Sequence, residues 1–559
     1  MKISSKIAVA ALSLVLVGSA VSAQSLDDAK KAIDAEQYQK AKSMLKNLTV
    51  TEANKDENYF YLGWVYLKEN DPDSAKVWFN KGIAVNPKSS LNYVGLGAVA
   101  HLNKDNTNAV SDFNQAISFA AKKDTKPYVY IGQSYLLMPN GGMAATADAQ
   151  AALAVLQKGE AISKNDAELE LTLGNASSAL LNGSDAYTYY GNAQALAPKW
   201  PAPIVAQGVT LKNANNFEDA IGDFQKAIAL DPNYGPAYRE WAETDARWAK
   251  NDAKVMVDKD NEAITEYEKY LSLTDRSLNS ELRYADFLIT AGKYQELETV
   301  AKQIASSANS NLRVYRYLGY AAYQNKDYQA GLTAMNTWMT KADPNRIIGR
   351  DYLYYGRLQM ATGQDSLGMG NLRKAYELDT TQADVLDTIA HALFVSKKYK
   401  QAGDAYYLYI SKAPNSYGLT DLFNEGRSYY YGFDPKKPDT VALVRADSAL
   451  SKVQQKATRP VADVALMRAR IKDLEEPDHN NIKGYALPYY QSYIDLTLAK
   501  GAPNDRAKPS LVEAYDYIGR YNEYIAKDEA KAADAYSKAL AITPTDPAAL
   551  DYQKRKGKK

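Results

Sequence analysis

The sequence predicts an all-α solenoid, a stack of about fourteen helical hairpins, and three observations carry that expectation. First, a skeleton of small and aromatic residues in 56–87 returns one fixed period later. Tyr59, Leu62, Gly63, Ala75, Phe79 and Gly82 are answered by Tyr93, Leu96, Gly97, Ala109, Phe113 and Ala116, each 34 residues on. Second, the small residues fall where two antiparallel helices would cross. Gly63 and Ala75 let the backbones approach closely, Tyr66 and Phe79 fill the space beside them, and Pro87 lacks the amide hydrogen needed to continue the second helix. Third, 559 residues without a single cysteine exclude a disulfide framework, and a chain that long would exceed one globular core unless it were built by repetition.

In chain order, Met1, Lys2 and Lys6, the apolar run 7–18 and Val21-Ser22-Ala23 have the three parts of a secretory signal peptide, with cleavage expected after Ala23. The run is too short to span a membrane, and no later stretch is long enough. Without Lys2 and Lys6 the 67 basic residues become 65 against 66 acidic ones, a balance that gives no nucleic-acid footprint. The absence of cysteine also removes the acceptor that a lipid anchor would need. Residues 24–55, with Ala29, Ala41 and Leu45 at the key positions, read as a degenerate capping repeat.

Residues 56–234 hold five regular repeats. After the first two, the pairs Gly132 with Ala152, Gly174 with Ala186, and Gly208 with Ala220 mark the others. Residues 235–545 carry a looser array, marked by Ala242 with Ala263, Ala285 with Leu297, Gly319 with Gly331, Gly356 with Gly368, Ala390 with Ala402, Gly426 with Ala446, Ala469 with Ala486, and Gly519 with Ala532. Four stretches, 139–148, 251–259, 432–439 and 475–483, lengthen a repeat between its helices and read as loops or helix extensions. Residues 546–559 end in Lys554, Arg555, Lys556, Lys558 and Lys559, expected to be a solvated basic tail.

This skeleton resembles the tetratricopeptide repeat (TPR) family over nearly the whole chain after residue 23. The departures are Ala for Gly at Ala242, Ala285, Ala390 and Ala469, and the four insertions. The resemblance implies a right-handed superhelix whose concave groove, lined by the first helix of each repeat, holds peptides or partner domains. It places the second, fifth, ninth and twelfth residues of each first helix in that groove. In the early repeats these include Phe60, Trp64, Val94, Val129, Gln133, Val205 and Val209. Later they include Arg239, Glu243, Arg313, Arg316, Tyr320, Tyr323, Arg350, Arg357, Met360, Arg427 and Tyr430. Guanidinium groups pair with carboxylates in a two-pronged geometry and tyrosine adds flat contact area, so this part is expected to take an acidic segment. The alternative is that these arginines bridge acidic residues of the chain itself, such as Glu243 and Asp351.

Catalytic patterns are missing. His101, His391 and His479 lie in different repeats, which a solenoid does not bring together. No metalloprotease, nucleophile-elbow, phosphate-loop or calcium-loop motif is present. The sequence is therefore read as a non-enzymatic, cofactor-free scaffold, exported to the periplasm or secreted, that binds protein or peptide partners of the cell envelope. The second reading is a periplasmic or outer-membrane-associated glycan-binding protein, in which groove tyrosines would stack on sugar faces.

Overall fold

The computed structural model describes residues 25–138, 142–307, 311–381, 384–476, 478 and 482–556. The signal-peptide reading of 1–23, the first part of the 139–148 insertion, His479, Lys558 and Lys559 lie outside them. The described residues form helices joined by short turns, with no strand among them. They fall into two compact units, Met1–Asn311 and Leu312–Lys559.

Unit 1 holds eight hairpins. They are α1 (Leu26–Asp34) with α2 (Tyr38–Thr51), α3 (Asp56–Lys68) with α4 (Pro72–Val85), α5 (Ser90–Leu102) with α6 (Asn106–Phe119), and α7 (Lys126–Leu136) with α8 (Thr146–Glu160). Then come α9 (Ala167–Ala179) with α10 (Gly183–Leu196), α11 (Pro201–Asn213) with α12 (Phe217–Leu230), α13 (Gly235–Asn251) with α14 (Met256–Leu273), and α15 (Leu278–Thr290) with α16 (Tyr294–Ser306).

Unit 2 holds six hairpins and a last helix. They are α17 (Val314–Gln324) with α18 (Tyr328–Lys341), α19 (Gly349–Ala361) with α20 (Asp365–Leu378), and α21 (Asp384–Val395) with α22 (Tyr399–Lys412). There follow α23 (Leu419–Tyr431) with α24 (Thr440–Lys456), α25 (Ala462–Leu474) with α26 (Leu487–Leu498), α27 (Lys508–Tyr521) with α28 (Glu529–Ile542), and α29 (Pro547–Lys556).

The small-residue rule has a direct structural cause. A methyl group at Gly63 would sit 2.4 Å from the Phe79 ring, and one at Gly319 would sit 2.4 Å from Met335. Ala75 and Phe79 are fully buried beside the first of these contacts. The turn inside a hairpin is repeated in several of them. Asn70 takes a left-handed conformation at φ 62°, and the Asp71 N–H reaches back to the Tyr66 carbonyl at 2.9 Å, closing α3. The Asp71 side chain then accepts from the Ser74 N–H and caps α4. Glu36, Lys104, Asn215 and Lys326 occupy the same left-handed place in their own hairpins.

The insertions take different forms. In 251–259, α13 and α14 are lengthened to 17 and 18 residues. In the 475–483 stretch the buried Glu476 carboxylate accepts backbone N–H groups from Lys483, Gly484 and Tyr485, which ties the approach to α26 to the end of α25. The carboxyl end is not a solvated tail up to Lys556. It forms α29, which buries Ala549 and Tyr552, while Arg555 pairs with Glu523 at 2.8 Å and Lys556 with Glu529 at 2.5 Å. The looser array that starts at residue 235 begins inside unit 1, because Tyr234 and Ala237 share a core with Phe224 of α12.

Candidate binding surface

First helices of the unit 1 hairpins, all but α5, line a cavity of about 1420 Å³. Residues three or four apart on a helix share a face, so each helix sends two or three side chains inward. Tyr61, Trp64 and Lys68 come from α3, Tyr130 and Gln133 from α7, Glu168, Leu171 and Asn175 from α9, Val209 and Asn213 from α11, and Arg239, Glu243 and Arg247 from α13. The ninth place recurs through this wall as Trp64, Gln133, Asn175, Val209 and Glu243. The fifth place behaves differently. Phe60, Val129 and Val205 are buried, whereas Leu171 and Arg239 in the same place reach the wall; the Tyr130 ring packs edge-on against Phe60 at 4.9 Å and Trp64 at 5.1 Å, drawing α3 and α7 together across α5. Val94 of α5 is accordingly fully buried.

The first hairpin reaches across this cavity to the far side of unit 1. The Trp200 indole donates to Asp34 at 2.7 Å, the Tyr270 hydroxyl donates to Glu36 at 2.9 Å, and the Gln39 N–H donates to Asp275 at 2.6 Å. Arg239 forms an ion pair with Glu36 and also meets Glu240 at 3.1 Å, which in turn holds Lys212 at 2.6 Å. These links join residues up to 236 positions apart.

Burial shapes the charges that face the cavity. It pushes Asp34 up to about 6 despite the Trp200 hydrogen bond, and it raises Glu168 although Tyr130 and Lys30 oppose it. It lowers Lys68, against the attraction of Glu36 and Asp34. Lys30 and Lys68 make no ion pair among the described residues. Their ammonium groups rest over the rings of Tyr61 at 5.3 Å and Trp64 at 5.9 Å.

The other sequence-predicted residues are placed as follows. Glu243 takes a two-pronged bond from Arg283, with the Nε contact at 2.6 Å. In unit 2, Arg316 grips the fully buried Asp351 at 2.8 Å through both prongs, and the buried Tyr320 donates to the same carboxylate at 2.6 Å. Arg357 pairs with Asp384 at 3.1 Å and lies 5.9 Å from the Tyr323 ring. Arg313 covers Tyr317 at 5.4 Å, and Arg427 covers Phe394 at 4.1 Å. Met360 and Tyr430 are half-buried, and Arg350 is exposed. The arginines at 316 and 357 are thus engaged by carboxylates of the chain itself, and Tyr320 presents no free face to a sugar. His101 lies 3.7 Å from Asp148, and His391 is exposed on a separate unit.

Sequence reasoning missed Lys30, Lys68, Glu36 and Glu168. Lys68 stands in the thirteenth place of its helix, outside the family's groove phase, and Glu36 is a turn residue with no periodic signal.

Residues 56–89 match the tetratricopeptide repeat family model. With fourteen hairpins among the described residues, the fold is a TPR solenoid. Among solved structures, the C-terminal part of a TPR repeat-containing protein from Cytophaga hutchinsonii is 28% identical, the alignment covering 48% of this chain and 98% of that one at a TM-score of 0.33. The APC/C hetero-tetramer Cut9–Hcn1 is 14% identical, with 83% and 90% covered at a TM-score of 0.33. YrrB, a TPR protein with an unusual peptide-binding site, is 18% identical, with 36% and 96% covered at 0.22. No curated protein sequence matches the chain.

Proposed function

We propose that this chain is a non-enzymatic scaffold, exported to the cell envelope, that holds a protein or peptide segment in the cavity of unit 1. The observation that carries the reading is the cavity wall itself. Ninth-place side chains of α3, α7, α9, α11 and α13 line it, and the cations Lys30 and Lys68 lie there without an ion pair among the described residues. Such a surface suits an extended segment that meets one hairpin after another. Unpaired ammonium groups in a partly desolvated site favour carboxylates on that segment. The amino-terminal pattern of Lys2, Lys6, the apolar run and Ala23 supports the export half of the proposal.

The test is affinity capture of the chain from Gln24 onward, cross-linked in intact cells and identified by mass spectrometry. The reading expects one or a few envelope proteins whose binding falls about tenfold or more, roughly 1.4 kcal/mol, when Lys30 and Lys68 are both changed to Glu. Partner recovery that is indifferent to this charge reversal contradicts it.

A further inference from the structure

We propose that the first hairpin is a latch: α1 and α2 dock across the unit 1 cavity onto its far wall, and an acidic segment enters by displacing them. The entry step rests on the reading of this cavity as the binding surface, while the latch itself stands on the contacts alone.

The two sides of the first hairpin are held differently. Toward its neighbour it is joined by an apolar core, with Leu45 and Leu48 of α2 in the same cluster as Leu62 and Val65 of α3, beside the Lys42–Glu69 pair at 2.6 Å. Toward the far wall the seam is polar. Its contacts include Asp34 with Trp200 and Tyr234, Glu36 with Arg239 and Tyr270, and the Gln39 N–H with Asp275, and Ala35 adds a buried apolar contact. Hydrogen bonds and ion pairs exchange for water when such a seam opens, whereas an apolar core has no substitute partner. The far seam therefore opens first, and the turn 52–55 between α2 and α3 is the pivot.

The open state leaves little unsatisfied. Arg239 keeps Glu240, and Glu240 keeps Lys212. Opening removes Asp34 and Glu36 from the cavity wall, and these are the carboxylates whose attraction Lys68 feels most. Asp34 and Glu36 thus offer Lys68 and Arg239 the carboxylates that an acidic segment would offer, while Lys30 of the same hairpin rests over Tyr61 on the α3 side, away from the far seam. The segment and the hairpin displace one another, which makes the first hairpin a built-in competitor.

Hydrogen exchange on the chain from Gln24 onward tests this. Glu36→Ala is expected to accelerate exchange in residues 26–51 at least tenfold and to leave 167–230 unchanged. Unchanged exchange, or an even rise across unit 1, overturns the latch. Because the chain has no cysteine, Gln39→Cys with Asp275→Cys gives one defined disulfide. Its oxidation is expected to slow exchange in 26–51 at least tenfold, and no slowing in the cross-linked protein overturns the latch again. Deca-glutamate, used as the acidic probe, is expected to bind Glu36→Ala at least tenfold tighter than the wild type and to be excluded by the oxidised double-cysteine variant. Accelerated exchange with unchanged deca-glutamate binding overturns displacement by acidic segments and leaves the moving hairpin in place, so the two failures are distinguishable.

Discussion

Asp516 on α27 is a carboxyl group whose neutral form folding favours up to about pH 7. Burial, and then the adjacent Asp546, push it up to about 7. A carboxyl whose folded pKa is raised contributes stability at low pH, and that contribution is lost as pH rises through the folded value. The window therefore runs from about pH 4 to pH 8. Asp447 works in the opposite sense: against burial, Arg468 and Lys472 hold it low, so its contribution fails only as pH falls below the usual carboxylate range. Asp516→Asn is expected to leave hydrogen exchange of Lys508–Lys556 unaltered at pH 4 and to stabilise that segment by about 1–2 kcal/mol at pH 8, after screening at a partly exposed site. Equal exchange at both pH values contradicts the assignment. At this scale the sequence was most informative where sterics leave one choice. Gly63 could be read because no side chain fits beside Phe79. Asp516 could not, since its environment depends on α29 folding back, where a basic tail was expected.

The elements are tied to one another by ion pairs that run between first helices. Glu243 of α13 meets Arg283 of α15, Arg316 of α17 meets Asp351 of α19, Arg357 of α19 meets Asp384 of α21, and Arg470 of α25 meets Glu513 of α27. Each pair joins consecutive hairpins. Removing one partner of a buried pair leaves the other charge uncompensated. Arg316→Ala should therefore destabilise the α17–α19 region by about 3 kcal/mol, because Asp351 is fully buried, and leave partner affinity unchanged. Lost affinity with intact local stability would return Arg316 to the binding surface. The hairpin boundaries were legible because a small residue and a large one recur at helical spacing. The role of the arginines was only half legible. Glu243 and Asp351 stood out as possible intramolecular partners, but the spacing of 40 residues from Glu243 to Arg283 depends on the lengthened α13 and α14.

Across the whole molecule, repetition gives two units with separate cores, and the cavity belongs to the first. The ninth places Trp64, Gln133, Asn175, Val209 and Glu243 fall on that cavity at the spacing the helical phase gives, whereas Ala98 of α5 is buried away from it. The burial of Phe60, Val129 and Val205 and the reach of the first hairpin had no signal in that phase, because they depend on packing between hairpins. The most direct test of the account places a photo-cross-linking residue at Asn175, an exposed cavity position in the ninth place of α9, and compares it with Val77, 52% exposed on α4 and outside the cavity. A covalent adduct with an envelope protein in intact cells is expected from Asn175 and none from Val77. Adducts from Val77 alone, or equally from both positions, would contradict the cavity as the partner-binding surface.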